Sequence, residues 1–287
     1  MEYRNILLEA GGLAKAKHLE VLARGNIGVN GKYDNTDIAT AADIETEVLL
    51  RDYFNRILPD YNIFGEEFGA HYNGNGKVII LDPLDCTRNY AARRGGFGTI
   101  IGIYENNELV AGLKQDTLTE ITHILTIDGL ERLGPKNESK ENVIFLEQKL
   151  PEHETPEDGL AWREELSWDI QERFPGSRVI VDQQDFLART RVYEGLWTGY
   201  FHTGLAVHDI STEPLFSRFS DAKAVDHRRR PYRGFDMDLE CQKYNHGARE
   251  VLYSHPLLVG GDDFIDGMTD ILSRYEKSLD MKQNPVF

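Results

Sequence analysis

The sequence has few cysteines, no long apolar run and a shortage of positive charge. Its 287 residues include two cysteines, Cys86 and Cys241, and no C-x-x-C spacing. Two cysteines cannot build the disulfide framework of a small secreted domain, so we expect a reducing, cytoplasmic location. No segment approaches the roughly 18 apolar residues of a membrane-spanning helix, and no apolar signal-peptide core stands near the N-terminus. We therefore expect no membrane association.

Positive charge is scarce relative to negative charge. Lysine and arginine together number 32, against 48 aspartates and glutamates, which gives a formal net charge of −16. Such a field repels phosphate backbones and anionic lipid headgroups, so we do not expect nucleic-acid polymers or membrane surfaces as partners. A protein this anionic that handles a phosphate group needs a cation as intermediary.

Several common catalytic signatures are missing. The chain has no G-x-x-x-x-G-K-[ST] phosphate loop, no G-x-S-x-G turn and no H-E-x-x-H helix. Gly95, Gly96 and Gly98 form a glycine-rich stretch, but it precedes a predicted strand instead of joining a strand to a helix. It is therefore not a dinucleotide-binding fingerprint.

The apolar residues that are present form clear periodic patterns in the first half of the chain. Spacings of three and four predict helices over 1–23 and 41–58. A buried strand is expected at 77–82, a hairpin at 97–104 and 108–115, and a further strand at 120–127. This pattern predicts helices packed on a largely antiparallel sheet.

A change of composition near residue 138 predicts two domains, 1–138 and 139–287. The second half alternates strands with helices, which indicates an α/β arrangement. The strands are predicted at 142–148, 177–182 and 199–204, and the helices at 162–174, at 186–197, from about residue 208 and at 264–278.

The most informative segment follows the buried strand at 77–82. The strand ends in Asp82, Pro83 forces a turn, and Asp85 precedes a predicted helix that begins near Cys86 and Thr87. Carboxylates at a strand end suit Mg²⁺, and free helix amides suit a phosphate group. D-P-x-D is also a common turn sequence, and a pair of glutamates such as Glu66 and Glu67 is commonly solvated surface, so each motif alone has a structural explanation.

Three motifs in order resemble the inositol monophosphatase family. They are Thr40-Ala41-Ala42-Asp43 for T-x-A-D, Gly65-Glu66-Glu67 for G-E-E, and residues 82–90 for D-P-[IL]-D-G-T-x-N-[FY]. The resemblance extends from about Ile27 to Gln115. It implies an α+β protein, a layered αβαβα sandwich, that hydrolyses a small-molecule phosphate monoester with Mg²⁺.

The resemblance also assigns roles to individual residues. The implied ligands of two or three Mg²⁺ ions are Glu66, Asp82, the Leu84 carbonyl, Asp85 and Asp209, the last from the C-terminal domain. The implied catalytic residues are Asp43, Thr87 and Glu66. Phosphate contacts are implied for Asp85, Cys86, Thr87 and Asp209, and Glu67 is expected to orient a ligand or a metal-bound water. A homodimer is expected by family analogy.

The sequence departs from the family pattern around the implied phosphate site. Cys86 replaces a glycine, and its thiol is either a reactive group at a helix N-terminus or an inert apolar side chain. His208 stands where the family has tryptophan, and residues 211–213 replace A-A-G.

Charged and polar substitutions add further departures. Arg88, Arg93 and Arg94 either contact a second anionic group of the substrate or form surface ion pairs, and the same alternatives hold for the arginines of 228–233. The family's Gly-Ser pair has no clear match near Asp182, Gln183 and Gln184.

We therefore expect an Mg²⁺-dependent phosphoric monoester hydrolase whose substrate is an inositol, sugar or metabolite phosphate. The alternatives are a fructose-bisphosphatase-like activity, a 3'(2'),5'-bisphosphate nucleotidase-like activity, or a non-catalytic protein of the same fold that binds a phosphorylated metabolite.

Overall fold

The computed structural model describes residues 2–31, 38–70, 72–136, 139–147, 156–182, 186–203, 205–235 and 256–275. Cys241, Gln183 and Gln184 lie outside these ranges. The described residues fall into two compact units. The first unit comprises those of Met1–Lys136, Ala206–Leu215 and Arg233–Val251, and the second comprises those of Asn137–Leu205, Phe216–Tyr232 and Leu252–Phe287.

The first unit is built on a seven-stranded sheet. Its elements in chain order are α1 (Glu2–Arg24), β1 (Asn30–Gly31), β2 (Ile38–Ala39), α2 (Ala41–Ile57), β3 (Asn62–Gly65), β4 (Gly69–Ala70), β5 (Lys77–Asp85), α3 (Thr87–Ala91), β6 (Gly98–Glu105), β7 (Glu108–Asp116), β8 (Thr122–Thr126) and β9 (Gly129–Leu133). The strand order is β4-β3-β5-β6-β7-β8-β9, and β1 pairs with β2 separately. β3 and β5 run parallel, and the other neighbouring strands of the large sheet are antiparallel.

Alternation along the central strands gives this sheet two different faces. Ile79 and Leu81 of β5 join a buried apolar cluster with α1 and α2, to which Leu7 and Phe54 contribute. Asp82 points to the opposite face, because successive side chains of a strand alternate. Helices α1 and α2 therefore cover one face of the sheet, and the Asp82 carboxylate lies on the other face.

The second unit contains a five-stranded sheet in the order β11-β10-β12-β14-β13. Its elements are β10 (Val143–Glu147), α4 (Pro156–Arg173), β11 (Arg178–Asp182), α5 (Phe186–Tyr193), β12 (Gly199–His202), α6 (Glu213–Phe219), which contains a unit boundary after Leu215, β13 (Lys223–Asp226), β14 (Leu257–Gly260) and α7 (Asp262–Ser273). β10 is parallel to both neighbours, and β14 is antiparallel to both of its own. Leu166 of α4 and Met268 of α7 pack on one face with Ile144 and Leu258.

The mixed α+β fold with two sheets confirms the predicted fold class. The helix expected from about residue 208 begins later, at Glu213, because residues 207–212 form turns. The sequence-based division assigned Asp209 to the C-terminal domain, whereas the structure groups Ala206–Leu215 with the first unit. In the described part of the chain, no helix combines the length and the apolar character needed to cross a membrane.

Candidate active site

The start of α2 fixes Asp43. Thr40 is the N-cap residue: its Oγ1 accepts from the Ala42 amide at 3.2 Å. Asp43 reaches back, and its Oδ2 accepts from the Thr40 amide at 2.8 Å and from the Thr40 hydroxyl at 2.6 Å. This reciprocal arrangement is a capping box, with aspartate in the place of the usual glutamate. Asp43 is held fully buried, and burial, reinforced by the charge of Glu66, raises its pKa to about 6.

The end of β5 is irregular where the D-P-L-D segment begins. Asp82 pairs with Ile100 and Asp85 with Gly98, and the register shifts between them. Pro83 has no N–H to donate to the ladder, so a bulge at this point is expected. The Leu84 amide donates to Asp82 Oδ1 at 3.1 Å. The bulge brings Asp82 and Asp85 into one group of potential metal ligands.

The Pro83 carbonyl is braced from two sides. It accepts from the Thr99 hydroxyl of β6 at 3.0 Å and lies 2.9 Å from His18 Nε2 of α1. The other ring nitrogen, Nδ1, lies 2.8 Å from Thr117 Oγ1. His18 is fully buried, and burial lowers its pKa to about 4, so the imidazole is neutral at physiological pH. Since the carbonyl accepts, Nε2 carries the proton and Nδ1 accepts from Thr117.

Glu47 fixes the loop that carries Glu66. It lies one helical turn after Asp43, is fully buried, and accepts from the amides of Glu67 at 2.7 Å and Phe68 at 3.2 Å. The Arg51 Nε donates to Glu47 at 2.7 Å, which balances the buried charge. A Cβ at Gly65 would collide with the Glu47 carboxylate, so the G of G-E-E is required for this close approach.

The segment that carries Asp209 rests on two paired glycines of the first sheet. Gly102 of β6 is opposite Gly112 of β7. A Cβ at Gly102 would lie 3.1 Å from the Ser211 Cβ, and one at Gly112 would lie 2.9 Å from the Thr212 Cγ2. The two glycines therefore let residues 211–212 approach the sheet, which is why Asp209 belongs to the first unit.

Asp209 lies in a turn and does not cap a helix in the described structure. Its Oδ2 accepts from the Ala206 amide at 2.9 Å. Its other oxygen, Oδ1, lies 3.4 Å from His208 Nε2, which is 3.9 Å from Glu66 Oε2. The turn thus presents an imidazole and a carboxylate together.

These elements converge on one carboxylate cluster. Ligand atoms of Asp82, Asp85 and Asp209 lie within 4.8 Å of one another, and so do those of Glu66, Asp82 and His208. Asp82 belongs to both groups. Its pKa is raised well above the ordinary value by burial and then by the charges of Glu66, Asp85, Asp209 and Asp43.

Thr87 connects this cluster to Asp43. Its Oγ1 lies 2.8 Å from Asp43 Oδ1 and 3.0 Å from the Leu84 carbonyl oxygen. The hydroxyl has one proton, so it donates to one of these two oxygens at a time. Thr87 is therefore in direct contact with both of the other sequence-predicted residues, Asp43 and Leu84.

Cys86 adopts the left-handed conformation between Asp85 and Thr87, with φ of 66° and ψ of 45°. Its side chain packs beside a buried cluster that includes Leu84 and Tyr90. This packing favours the apolar role of the two that the sequence left open. The backbone conformation explains why a glycine suits this position in the family pattern.

The arginines flagged in the sequence occupy exposed positions. Arg88, Arg93 and Arg94 are all exposed, and Arg93 donates to the Gly25 carbonyl at 3.4 Å. In the second unit, Arg230 pairs with Asp226 at 2.6 Å, and Arg229 pairs with Asp266. Asp182 ends β11 in the same unit.

Sequence reasoning missed His18 and Glu47, although both had a detectable signal. Glu47 follows Asp43 by four residues, which places both carboxylates on one helix face. His18 follows Ala14 by four residues and precedes Val21 by three, on the buried face of α1. A polar residue on an apolar helix face indicates a specific buried partner.

Fold and site together define an α+β protein with a candidate metal centre built from carboxylates at the end of its first sheet. The sequence profile of the inositol monophosphatase family matches residues 4–124. Over 108 residues, the chain is 32% identical to a histidinol-phosphatase of Chlorobaculum parvum, covering 38% of this chain and 41% of the relative. Over 95 residues it is 33% identical to an inositol-1-monophosphatase of Bacillus subtilis, covering 32% of this chain and 36% of the relative. The chain thus spans about two fifths of the length of these curated relatives.

Solved structures share the fold over nearly the whole chain. The extragenic suppressor protein suhB of Bartonella henselae superposes with a TM-score of 0.74 at 17% identity, covering 96% of this chain and 99% of that one. An IMPase/NADP phosphatase complexed with Mg²⁺ and phosphate superposes with a TM-score of 0.68 at 13% identity, covering 92% of this chain and 93% of that one. Residues 4–124 are thus similar to the inositol monophosphatase family, and nearly the whole chain shares the fold of these solved structures.

Proposed function

We propose that the protein hydrolyses a small phosphate monoester in a reaction that depends on divalent cations of the Mg²⁺ type. The observation that carries this proposal is the convergence of Asp82 with Glu66, Asp85 and Asp209, next to the buried contact between Asp43 and Thr87. Five carboxylates from four separate chain segments, three of them buried, would not be gathered without a compensating cation.

The chemistry of the donor set fits such a cation. Mg²⁺ prefers carboxylate and carbonyl oxygens and is commonly held by a few carboxylates together with substrate phosphate oxygens. Burial, and then the charges of the neighbouring carboxylates, raise the pKa of Asp82, and a bound cation would stabilise its ionised form against both effects. The residues that would hold the ions are Glu66, Asp82, Asp85, Asp209 and the Leu84 carbonyl.

The chain's own residues position and move the proton of an attacking water. Bound divalent cations neutralise phosphoryl oxygens and lower the pKa of water. The Thr87 hydroxyl donates to Asp43, so the Thr87 oxygen has a lone pair available for a water proton. As that proton arrives at Thr87, the Thr87 proton passes to Asp43. The capping box and full burial hold the Asp43 acceptor in place for this transfer.

The substrate class is inferred from the relatives and from the net charge. Histidinol-phosphatase and inositol-1-monophosphatase act, by their names, on small phosphate monoesters, and the net charge of −16 disfavours polyanionic polymers. We further propose a cytoplasmic homodimer, which light scattering of the purified protein and fractionation of expressing cells would test.

The proposal predicts a specific loss on replacing one ligand. Asp85→Asn preserves size and removes the charge that holds a cation, so phosphate release should decrease by at least about 100-fold. Asp128→Asn in the exposed turn between β8 and β9 is the matched control and should retain full activity. Release by Asp85→Asn at the wild-type rate would refute the proposal.

A further inference from the structure

His208 occupies an unusual place in the carboxylate cluster. Its side chain is 3% exposed, and its Nε2 lies 3.4 Å from Asp209 Oδ1 and 3.9 Å from Glu66 Oε2. Both distances exceed those of a well-formed hydrogen bond between charged groups. The ring thus faces two carboxylates without a close hydrogen bond to either.

The other ring nitrogen has no hydrogen-bond partner within the described ranges. His208 Nδ1 is buried, and no donor or acceptor among the described residues reaches it. A buried polar group without a partner is costly and is retained where it serves a site. Because no described donor holds Nδ1 as an acceptor, the proton of a neutral ring can sit on Nδ1, which leaves the lone pair of Nε2 directed at the carboxylates.

The cluster consists of two groups with different donor chemistry. Asp82, Asp85 and Asp209 supply only oxygen atoms, whereas Glu66, Asp82 and His208 supply two oxygens and an imidazole nitrogen. All-oxygen groups suit Mg²⁺, and adding an imidazole nitrogen favours first-row transition-metal ions over Mg²⁺. Asp82 belongs to both groups and can connect two different cations.

We propose that His208 is a metal ligand, and that it makes the Glu66–Asp82–His208 group selective for a transition-metal ion such as Mn²⁺ over Mg²⁺. This inference rests on the proposed metal centre and adds a nitrogen ligand where the family pattern has tryptophan. A neutral imidazole binds through the nitrogen that faces the carboxylates, and the remaining nitrogen then carries the proton. The rival role is a protonated His208 that serves as a fixed positive charge between Glu66 and Asp209.

The test uses the full chain, freed of metal by chelation and loaded with one equivalent of Mn²⁺ in excess Mg²⁺. Pulsed electron paramagnetic resonance of bound Mn²⁺ detects the magnetic coupling to a directly bound imidazole nitrogen. We expect a ¹⁴N modulation in the wild type that changes to a ¹⁵N pattern when histidine is ¹⁵N-labelled. His208→Gln and His208→Leu should both lose the modulation.

Metal titrations by calorimetry give the second readout. In the wild type, the ratio of Mn²⁺ to Mg²⁺ affinity should exceed that of His208→Gln by at least about 10-fold, since only the transition metal gains from the nitrogen. Circular dichroism identifies variants that do not fold, and the absence of a ¹⁵N pattern in the labelled wild type would overturn the inference without any variant.

The possible failures are distinguishable. Mn²⁺ that binds to the wild type without nitrogen modulation overturns the role of His208 and leaves the proposed hydrolase intact. If neither Mn²⁺ nor Mg²⁺ binds at all, both the inference and the proposed metal centre are overturned. Modulation that survives in both variants assigns the nitrogen to another residue and also overturns the inference.

Discussion

Replacing His18 by glutamine should change how the free energy of unfolding depends on pH. His18 is fully buried and neutral, and burial lowers its pKa from 6.5 to about 4. The stabilisation that comes from keeping His18 neutral is therefore fully present above the ordinary pKa of 6.5 and is lost as the pH falls toward about 4. In that range the unfolded chain binds a proton at this site that the folded protein does not.

The size of the effect follows from the two pKa values. At about pH 5, protonation of His18 in the unfolded chain stabilises that state by about 2 kcal/mol, and at about pH 7.5 by almost nothing. His18→Gln has no proton to bind at this site. The wild type should therefore lose about 2 kcal/mol more stability than His18→Gln between these two pH values.

Urea unfolding measures this difference, with a chelator present to remove bound metal. The carboxylates of the metal site titrate in both proteins, so their contribution cancels in the comparison. Thr117→Val is the matched control: it removes the hydroxyl at Nδ1 but keeps the titrating ring, so it should preserve the wild-type pH slope. Parallel stability curves for wild type and His18→Gln would refute the reasoning. Proton NMR of the His18 ring supplies an independent value, expected near 4.

Three further predictions concern the same site. Glu47→Gln removes the charge that anchors the Glu66 loop and should weaken Mg²⁺ binding about 10-fold or more in calorimetry. Cys86→Gly should be more stable to urea than Cys86→Ala by about 1 kcal/mol, because only glycine adopts the left-handed conformation without a steric cost. Mg²⁺ affinity should decrease as the pH falls, because the pKa of Asp43 is raised to about 6 and that of Asp82 is raised above its ordinary value, so protons compete with the cation.

Each of these predictions has a contrary outcome. If Glu47→Gln binds Mg²⁺ as tightly as the wild type does, an uncharged side chain at this position is enough to hold the loop that carries Glu66. Equal stability of the two Cys86 variants would show that the turn relaxes around a Cβ. If calorimetry in buffers of different ionisation enthalpy detects no proton release when Mg²⁺ binds below about pH 6, the carboxylates do not carry the expected protons.

Local patterns predicted β5, β6, β7 and β8 of the first sheet, because short-range spacing and turn chemistry determine them, but did not predict β3, β4 or β9. The β5 strand, the β6–β7 hairpin and the start of α2 at Thr40 all follow from residues adjacent in the sequence. The extension of β5 as far as Asp85 was not predicted, since proline normally ends strand pairing and only the bulge accommodates Pro83.

The position of Asp209 could not be derived from its neighbours. It depends on Gly102 and Gly112, more than ninety residues away, whose pairing across the hairpin admits residues 211–212. The braces made by His18 and Glu47 are likewise long-range contacts, with partners in other elements. Such contacts require the register of the sheet, which only the folded chain supplies.

The most direct test of the central claim is phosphate release by chelator-treated protein, assayed on a panel of inositol, histidinol, sugar and nucleotide phosphates before and after a divalent cation is added. The account predicts no release without the cation and release from at least one small monoester with it. Asp82→Asn, which removes the carboxylate common to both ligand groups, should abolish that release. Cation-independent release, or no release from any compound together with tight cation-independent binding of one of them, would contradict the account.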